Sequence, residues 1–358
     1  MAHPAAQSGN CLPSRLPTIK EVRQRVRAAF NVRNCRWQYQ LPEAVWGGKH
    51  VILDVGTGSG KTLAFYIPAL FAAPGQVMIV VTALNILAAQ NVAQLEAAGI
   101  PAIAITGQTA TKQNFEVGQF LLQLAVADSS IMQDIADGKY TVVIASPEQL
   151  VKWGEGFEAL FRDITFRSRI ISVVFDEGHC ITQWGSFRPE YSEISRLRYL
   201  LPETRFIFAS ATFSPLILND IKSSFGLSPG NFVHIRRPND RPNVHIGVRK
   251  IEHALNSYRD LAFLAPDGWT EGNDTPRKFV AFFDSITEAI DAGESLRRRL
   301  PPEHRNKILW FHSDMSEEHK AEALEKLRTG EIWGLCATDS FGMVCTWLTL
   351  STVYSYML

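Results

Sequence analysis

The chain has 358 residues, enough for two hydrophobic cores. With 46% hydrophobic and 20% charged residues it reads as an ordinary globular protein, not a disordered or fibrous one. Its 36 basic and 36 acidic residues cancel, so a polyanion would have to be held by a local basic strip and not by the overall field.

Residues 1–20 carry Pro4, Pro13 and Pro17 and read as a flexible lead-in. The start, Met1 to Ala6, lacks the basic residues and apolar core of a signal peptide. No apolar run reaches the ~18 residues of a membrane span. Five cysteines, Cys11, Cys35, Cys180, Cys336 and Cys345, are far apart, which argues against a disulfide framework and against a cysteine-rich zinc site. These features predict a soluble intracellular protein in a reducing compartment, with no membrane partner.

From residue 21 onward, short apolar strands alternate with helices. Strands are predicted at 51–55, 77–82, 102–106, 141–145, 170–175 and 205–209, each apolar throughout, as in strands buried on both faces of a parallel sheet. Helices are predicted at 84–98 and 214–225. The alternation implies a doubly wound α/β domain with its ligand at the carboxyl ends of the strands. The stretch 236–243, rich in Pro, Asn and charge, suits a linker. Beyond it, strands are predicted at 278–283, 308–311 and 331–337, helices at 286–300 and 316–328, and a polar insertion at 266–277.

Three stretches carry chemistry. The first, Val55-Gly56-Thr57-Gly58-Ser59-Gly60-Lys61-Thr62, joins a strand to a helix. Its glycines let successive backbone N–H groups point inward, and the helix N-terminus adds partial positive charge. This is a cradle for a nucleoside triphosphate: Lys61 reaches the terminal phosphates and Thr62 ligates Mg²⁺. Val55 stands where the strict pattern has its first Gly. The second is Asp176-Glu177-Gly178-His179, after the apolar run Val173-Val174-Phe175. Carboxylates at the end of a buried strand are costly without a counter-charge, which Mg²⁺ would supply. Asp176 is placed to hold the ion and Glu177 to orient or deprotonate water. The alternative is a pair of exposed acids capping a turn. The third, Ser210-Ala211-Thr212, follows the strand Phe206-Ile207-Phe208-Ala209 and taken alone is an ordinary turn.

These stretches, in this order, resemble those of superfamily-two helicases, and the run from Asp176 to Tyr191 resembles the RecQ family of DNA helicases. That family follows its acidic box with an aromatic-rich loop, here Cys180-Ile181-Thr182-Gln183-Trp184-Gly185 and then Phe187-Arg188-Pro189-Glu190-Tyr191. The resemblance implies that Gln183, Trp184, Phe187 and Arg188 sense single-stranded DNA. Their chemistry agrees, because aromatic faces stack on unpaired bases and an arginine meets phosphate. The other reading of Trp184 and Phe187 is as core aromatics. Gln38, 23 residues before Lys61, matches a glutamine that reads the adenine edge in the family, with Gln40 as a substitute. Ser210, Ala211 and Thr212 match the tripeptide that couples phosphate state to domain motion. Thr82-Ala83-Leu84 with Gln90, and Ser146-Pro147-Glu148, match family motifs that touch the nucleic-acid backbone. Asp240-Arg241-Pro242-Asn243 matches the junction between lobes, and His312-Ser313-Asp314-Met315 and 337–343 match motifs of the second lobe.

The resemblance covers about residues 25–343. It implies tandem RecA-like parallel-sheet domains of α/β class: an ATP-binding domain at 21–237, a partial second domain at 238–343, and a divergent tail at 344–358. The family's arginine-finger motif and its zinc-binding and winged-helix region have no counterpart within these residues. The tail is apolar and β-prone, suited to a sheet edge. The expected function is ATP- and Mg²⁺-dependent 3′-to-5′ unwinding of single-stranded or partially duplex DNA, in repair or recombination, nuclear if the source is eukaryotic. Two alternatives stand beside it: a degenerate helicase that binds ATP or DNA with little turnover, and an RNA helicase of the same superfamily.

Overall fold

The computed structural model describes residues 15–82, 85–105, 129–151, 156–185, 190–240, 244–266, 268–270, 274–342 and 352–356. Two compact units divide the chain, Met1–Arg241 and Pro242–Leu358.

The first unit is a seven-stranded parallel sheet. Its strands are β1 (His50–Asp54), β2 (Val77–Val81), β3 (Ala102–Ile105), β4 (Val142–Ala145), β5 (Ile170–Asp176), β6 (Arg205–Ser210) and β7 (Phe232–Arg236), in the order β3-β4-β2-β5-β6-β1-β7. Successive side chains of a strand point to opposite faces. Ile52, Ile79, Val173, Phe206 and Phe208 therefore join one apolar layer, while Val51, Leu53, Met78, Val174 and Ile207 join the other. Both layers are covered by helices, which explains why the strands are apolar throughout. The α/β parallel-sheet expectation for this part of the chain is met.

β7 was not among the predicted strands. Phe-Val-His-Ile-Arg alternates in exposure at the sheet edge and lacks the continuous apolar run of the central strands. It pairs with β1, setting Leu53 opposite Ile235 and Asp54 opposite Arg236.

Helices begin where capping chemistry lies. The helix Ile19–Phe30 starts within the expected lead-in, with a capping box between Thr18 and Glu21. Ser214 caps Pro215–Phe225, Ser285 caps Ile286–Arg298 and Ser316 caps Glu317–Thr329, each by accepting a backbone N–H in the first turn.

The second unit holds β8 (Phe279–Phe282), β9 (Ile308–Phe311), β10 (Gly334–Ala337) and β11 (Thr352–Ser355), all parallel, in the order β11-β8-β10-β9. β11 comes from the divergent tail and pairs with β8 from Thr352↔Phe279 to Ser355↔Phe282. The stretch 266–277 is not wholly polar in role. Its Trp269 is buried edge-on against Trp333, at 4.7 Å, and its indole N–H donates to the Asp274 carbonyl at 3.0 Å.

A half-buried titratable group links this fold to pH. His50 opens β1, its Nδ1 accepts the Phe206 backbone N–H at 3.0 Å, and its ring stacks on Phe206. Burial, aided by the Arg205 charge, pushes its pKa down from 6.5 to about 4. The folded state therefore keeps His50 neutral while the unfolded chain binds a proton below 6.5. Stability supplied by the neutral ring is complete above pH 6.5 and is lost as pH falls towards about 4, by at most ~3 kcal/mol. Denaturant titrations should show a gap in unfolding free energy between the parent and His50→Gln that is widest near pH 7 and closes near pH 4. A gap independent of pH would show that His50 does not titrate this way.

Candidate nucleotide and nucleic-acid site

The sheet order brings β5, β6 and β1 side by side, so their carboxyl ends deliver three separate stretches of sequence to one place. After β1 comes the glycine loop. Gly58 (φ +78°) and Gly60 (φ +82°) adopt left-handed backbone that only glycine takes cheaply. A Cβ on Gly60 would also lie 2.6 Å from Gln38 Nε2. Gly60 caps the helix Lys61–Tyr66, so Lys61 is its first residue and is buried, with Thr62 half-buried beside it. Thr57, Gly58 and Ser59 are exposed, whereas Gly56 is buried.

Gln38 is buried and spans two neighbours. Its Oε1 accepts the Cys35 N–H at 2.6 Å and its Nε2 donates to the Gly60 carbonyl at 2.9 Å. The carboxamide is thus committed to the loop, and contact with an adenine edge requires these bonds to be exchanged. Gln40 is exposed on the same helix, Arg36–Trp46.

At the end of β5 lies Asp176. Burial first, and then repulsion from Glu177, raise its carboxyl pKa from 3.8 to about 6, despite the opposing pull of Lys61. Glu177 has φ +53°, a left-handed conformation that a residue with a Cβ adopts at a cost of about 1 kcal/mol or more. Two bonds hold it there: its N–H donates to Asp176 Oδ1 at 3.1 Å, and the Gly178 N–H donates to the Ala209 carbonyl at 2.8 Å. Its carboxylate lies 3.2 Å from His179 Nδ1. The same nitrogen lies 2.8 Å from Ser210 Oγ, which accepts the Thr212 N–H at 3.0 Å. A continuous polar chain thus runs from Glu177 through His179 to Ser210 and Thr212. Ser210 is fully buried, Ala211 half-buried and Thr212 exposed.

Lys61 feels three carboxylates, Glu177, Asp176 and Asp54, which oppose the lowering of its pKa by burial. Arg236 Nε, 3.3 Å from Asp54, offsets one of them. The remaining Asp176–Glu177 pair exceeds the single ammonium, a charge balance that suits a divalent cation. Among the described residues no group of three or more His, Cys, Asp or Glu is placed to hold a metal. Magnesium held together with a nucleotide needs fewer protein ligands, because phosphates and water complete its shell. The residues present fit Mg²⁺ at Asp176 and Thr62.

Three residues here escaped the sequence reading. Asp54 ends β1 and is buried; Arg236 sits opposite it on β7; and Asn239 donates through Nδ2 to the Ala211 carbonyl. Asp54, Thr212, Phe213, Ser214, Arg236 and Asn239 line a cavity of about 330 Å³. A lone acid closing the run Val51-Ile52-Leu53 was the available signal, since a buried carboxylate needs a partner.

The aromatic loop is described only as far as Gly185; Phe187 and Arg188 lie outside the described residues, as do Ala83, Leu84, 241–243 and Met343. Gln183 is exposed at the end of the short helix Cys180–Gln183. Trp184 is half-buried, edge-on to Tyr191 at 5.8 Å, and packs on the apolar layer beneath. Part of its surface is therefore core, as the second reading of this residue held. Among the described residues no helix is long and apolar enough to cross a membrane.

Comparison with known proteins agrees with this architecture. The DEAD/DEAH box helicase family matches residues 36–220, more than half of the chain. An ATP-dependent DNA helicase Q-like 4B of Arabidopsis thaliana is 25% identical over 310 residues, covering 86% of this chain and 24% of that protein. The ATP-dependent DNA helicase RecQ of Haemophilus influenzae is 27% identical over 320 residues, covering 89% of this chain and 46% of that protein. The chain thus spans from about a quarter to under half of the length of these relatives. In fold it is similar to the DUF1998 helicase MrfA, solved bound to DNA and AMPPNP, with a TM-score of 0.67 at 17% identity over 98% of this chain and 48% of that one. With the glycine loop, the acidic box and the tripeptide gathered at the carboxyl ends of three adjacent strands in a RecQ-like sequence, the chain belongs to the DEAD/DEAH box helicase family.

Proposed function

We propose that this chain is the motor portion of an ATP-dependent DNA helicase of RecQ type, unwinding with 3′-to-5′ polarity. The observation that carries the proposal is the meeting of Lys61, Asp176, Glu177 and the Ser210–Thr212 tripeptide at the ends of three adjacent strands, with more carboxylate than ammonium.

In this reading the N–H groups of Gly56 to Gly60 enclose the phosphates and Lys61 neutralises the terminal ones. Gln38 leaves Gly60 to meet adenine. Asp176 and Thr62 would hold Mg²⁺, which would supply positive charge to offset that of the phosphates. Glu177, fixed by its left-handed backbone and by His179, orients the attacking water and takes its proton. The chain Glu177–His179–Ser210–Thr212 carries the state of that carboxylate to the end of β6. Gln183 and the exposed part of Trp184, with Phe187 and Arg188, meet unpaired bases and phosphates. Residues 21–237 form the ATP-binding domain, 238–343 a partial second RecA-like domain and 344–358 the tail. The cellular setting is intracellular, nuclear in a eukaryote.

DNA is favoured over RNA by the Gln183-Trp184-Gly185 stretch in its RecQ-like setting. ATP hydrolysis by the purified chain should rise on adding single-stranded DNA and rise less with RNA of matched sequence. Equal stimulation by RNA would overturn the choice of DNA, and a chain that binds neither ATP nor DNA would overturn the proposal.

A further inference from the structure

The chain is neutral overall, yet its charge is not evenly spread. Between Arg15 and Arg36 the sequence holds seven basic residues and one acidic one, a surplus of six that the rest of the chain must balance. Most of this segment is the helix Ile19–Phe30 and the turn that follows it.

The helix has one buried edge. Val22 and Val26, one turn apart, pack with Trp46 and Ile67 in a small apolar cluster. The basic residues lie elsewhere on its circumference. Two of the seven are used by the fold: Arg15 pairs with Glu21, and Arg25 donates to the Leu70 carbonyl at 2.6 Å while lying over the Phe71 ring. Lys20, Arg23, Arg27, Arg33 and Arg36 make no ion pair among the described residues, and all but the half-buried Arg23 are exposed. Lys20, Arg23 and Arg27 follow at spacings of three and four, so they form one stripe along the helix. It is about 10 Å long, the distance over which one strand of DNA carries about three phosphates.

The basic run Arg297-Arg298-Arg299 offers a contrast. Arg297 pairs with Glu294 and lies over Trp310, and Arg299 donates to the Ala265 carbonyl, so two of its three guanidinium groups serve the fold. Among the described residues the unpaired charge of the 15–36 segment has no such internal use.

Position makes this stripe a separate surface. The helix packs through Trp46 onto the Arg36–Trp46 helix, whose Leu41 and Val45 join the apolar layer of Val51 and Leu53. Cys180, Ile181 and Trp184 pack on the opposite layer, with Phe206 and Phe208. The stripe and Trp184 are thus on opposite faces of one sheet.

Resting on the reading of the chain as a nucleic-acid motor, we propose that Lys20, Arg27 and Arg33 on the 15–36 segment form a second contact for the phosphate backbone of DNA, on the face of the ATP-binding unit opposite Trp184. The partner is identified by charge complementarity: a surplus of six cations without carboxylate partners among the described residues, three of which, Lys20, Arg23 and Arg27, lie in a line matched to phosphate spacing. The contact is independent of base sequence. It would retain duplex or trailing strand near the motor while the loop engages unpaired bases.

The test compares the full chain with a triple variant, Lys20→Gln, Arg27→Gln and Arg33→Gln, by anisotropy of labelled duplex DNA over a salt series. None of the three touches the glycine loop or the apolar edge of the helix. Each phosphate contact contributes about 0.9 to the slope of log affinity against log salt, so the variant's slope should be shallower by about 2.7. Between ~50 and ~200 mM salt the variant should then lose about 40-fold less affinity than the parent. ATP affinity should be the same in both. Identical slopes and affinities would overturn the proposal, as would unchanged DNA binding with loss of binding to polyglutamate or to anionic vesicles. If the triple variant melts early, Arg27→Gln alone should lower the slope by about 0.9, and no change in it would overturn the proposal equally. Failure of the motor reading would be seen in the parent's own ATP turnover, whereas failure here is seen in the difference between parent and variant.

Discussion

Glu177→Gln is expected to leave ATP affinity within about threefold of the parent while lowering turnover by about 10²–10⁴, the usual contribution of a positioned general base. The amide keeps the size of the side chain and its reach towards His179 Nδ1, now 3.2 Å from Oε2, but it cannot take a proton. Glutamine tolerates the φ of +53° about as well as glutamate, so the backbone of the acidic box should persist. Lys61→Ala should behave differently and lose both affinity and turnover. Lys61 feels Glu177, Asp176 and Asp54 together, and without it the phosphates would meet the Asp176–Glu177 carboxylates with no ammonium beside them. Isothermal titration with a non-hydrolysable ATP analogue separates the two variants, and steady-state turnover completes the comparison. If Glu177→Gln hydrolyses ATP as fast as the parent, Glu177 does not handle the water. If Lys61→Ala retains both affinity and turnover, the loop does not hold the triphosphate.

Gly334→Ala should destabilise the second unit by about 1–3 kcal/mol or more, although alanine ordinarily suits a strand better than glycine. Gly334 opens β10, the strand between β8 and β9, and stands opposite Phe279 in the register. A Cβ there would enter the ring of Phe279, which is 1% exposed, so the ring would have to shift within the core. Cores packed to crystal density yield to an added methyl only by shifting backbone or leaving a rotamer well. Thermal melting followed at the tryptophans of the second unit, Trp269, Trp310, Trp333 and Trp347, reads this. The double variant Gly334→Ala with Phe279→Leu should recover part of the loss, because the two positions share one space and their effects do not add. A single variant as stable as the parent would show that the ring moves aside at no cost.

The two expectations differ in how far the sequence supports them. The roles proposed for Lys61 and Glu177 start from type and spacing, a glycine turn before Lys-Thr and, downstream of it, a paired acid after an apolar strand. The conflict at Gly334 is invisible in the sequence, because it depends on a parallel register between strands more than fifty residues apart.

The same division holds across the molecule. Apolar runs marked the central strands because both faces of the sheet are covered. β7 escaped because an edge strand is wetted on one side and its pattern mixes Phe, Val and Ile with His and Arg. With it escaped Arg236, whose partner Asp54 is some 180 residues earlier in the chain.

By itself, the amino-acid sequence determined the α/β class, the glycine turn with Lys61 and Thr62, the Asp176–Glu177 box and the RecQ-like loop beginning at Cys180. Each is a local pattern whose physics acts within a few residues. Only the tertiary structure decided that β5, β6 and β1 are neighbours and that His179 bridges Glu177 to Ser210. It also decided that Gln38 is held on Gly60 and that the basic helix and Trp184 occupy opposite faces. Those facts arise from which strands hydrogen-bond to which, and a parallel sheet makes that choice through long crossover connections that leave no mark in local sequence.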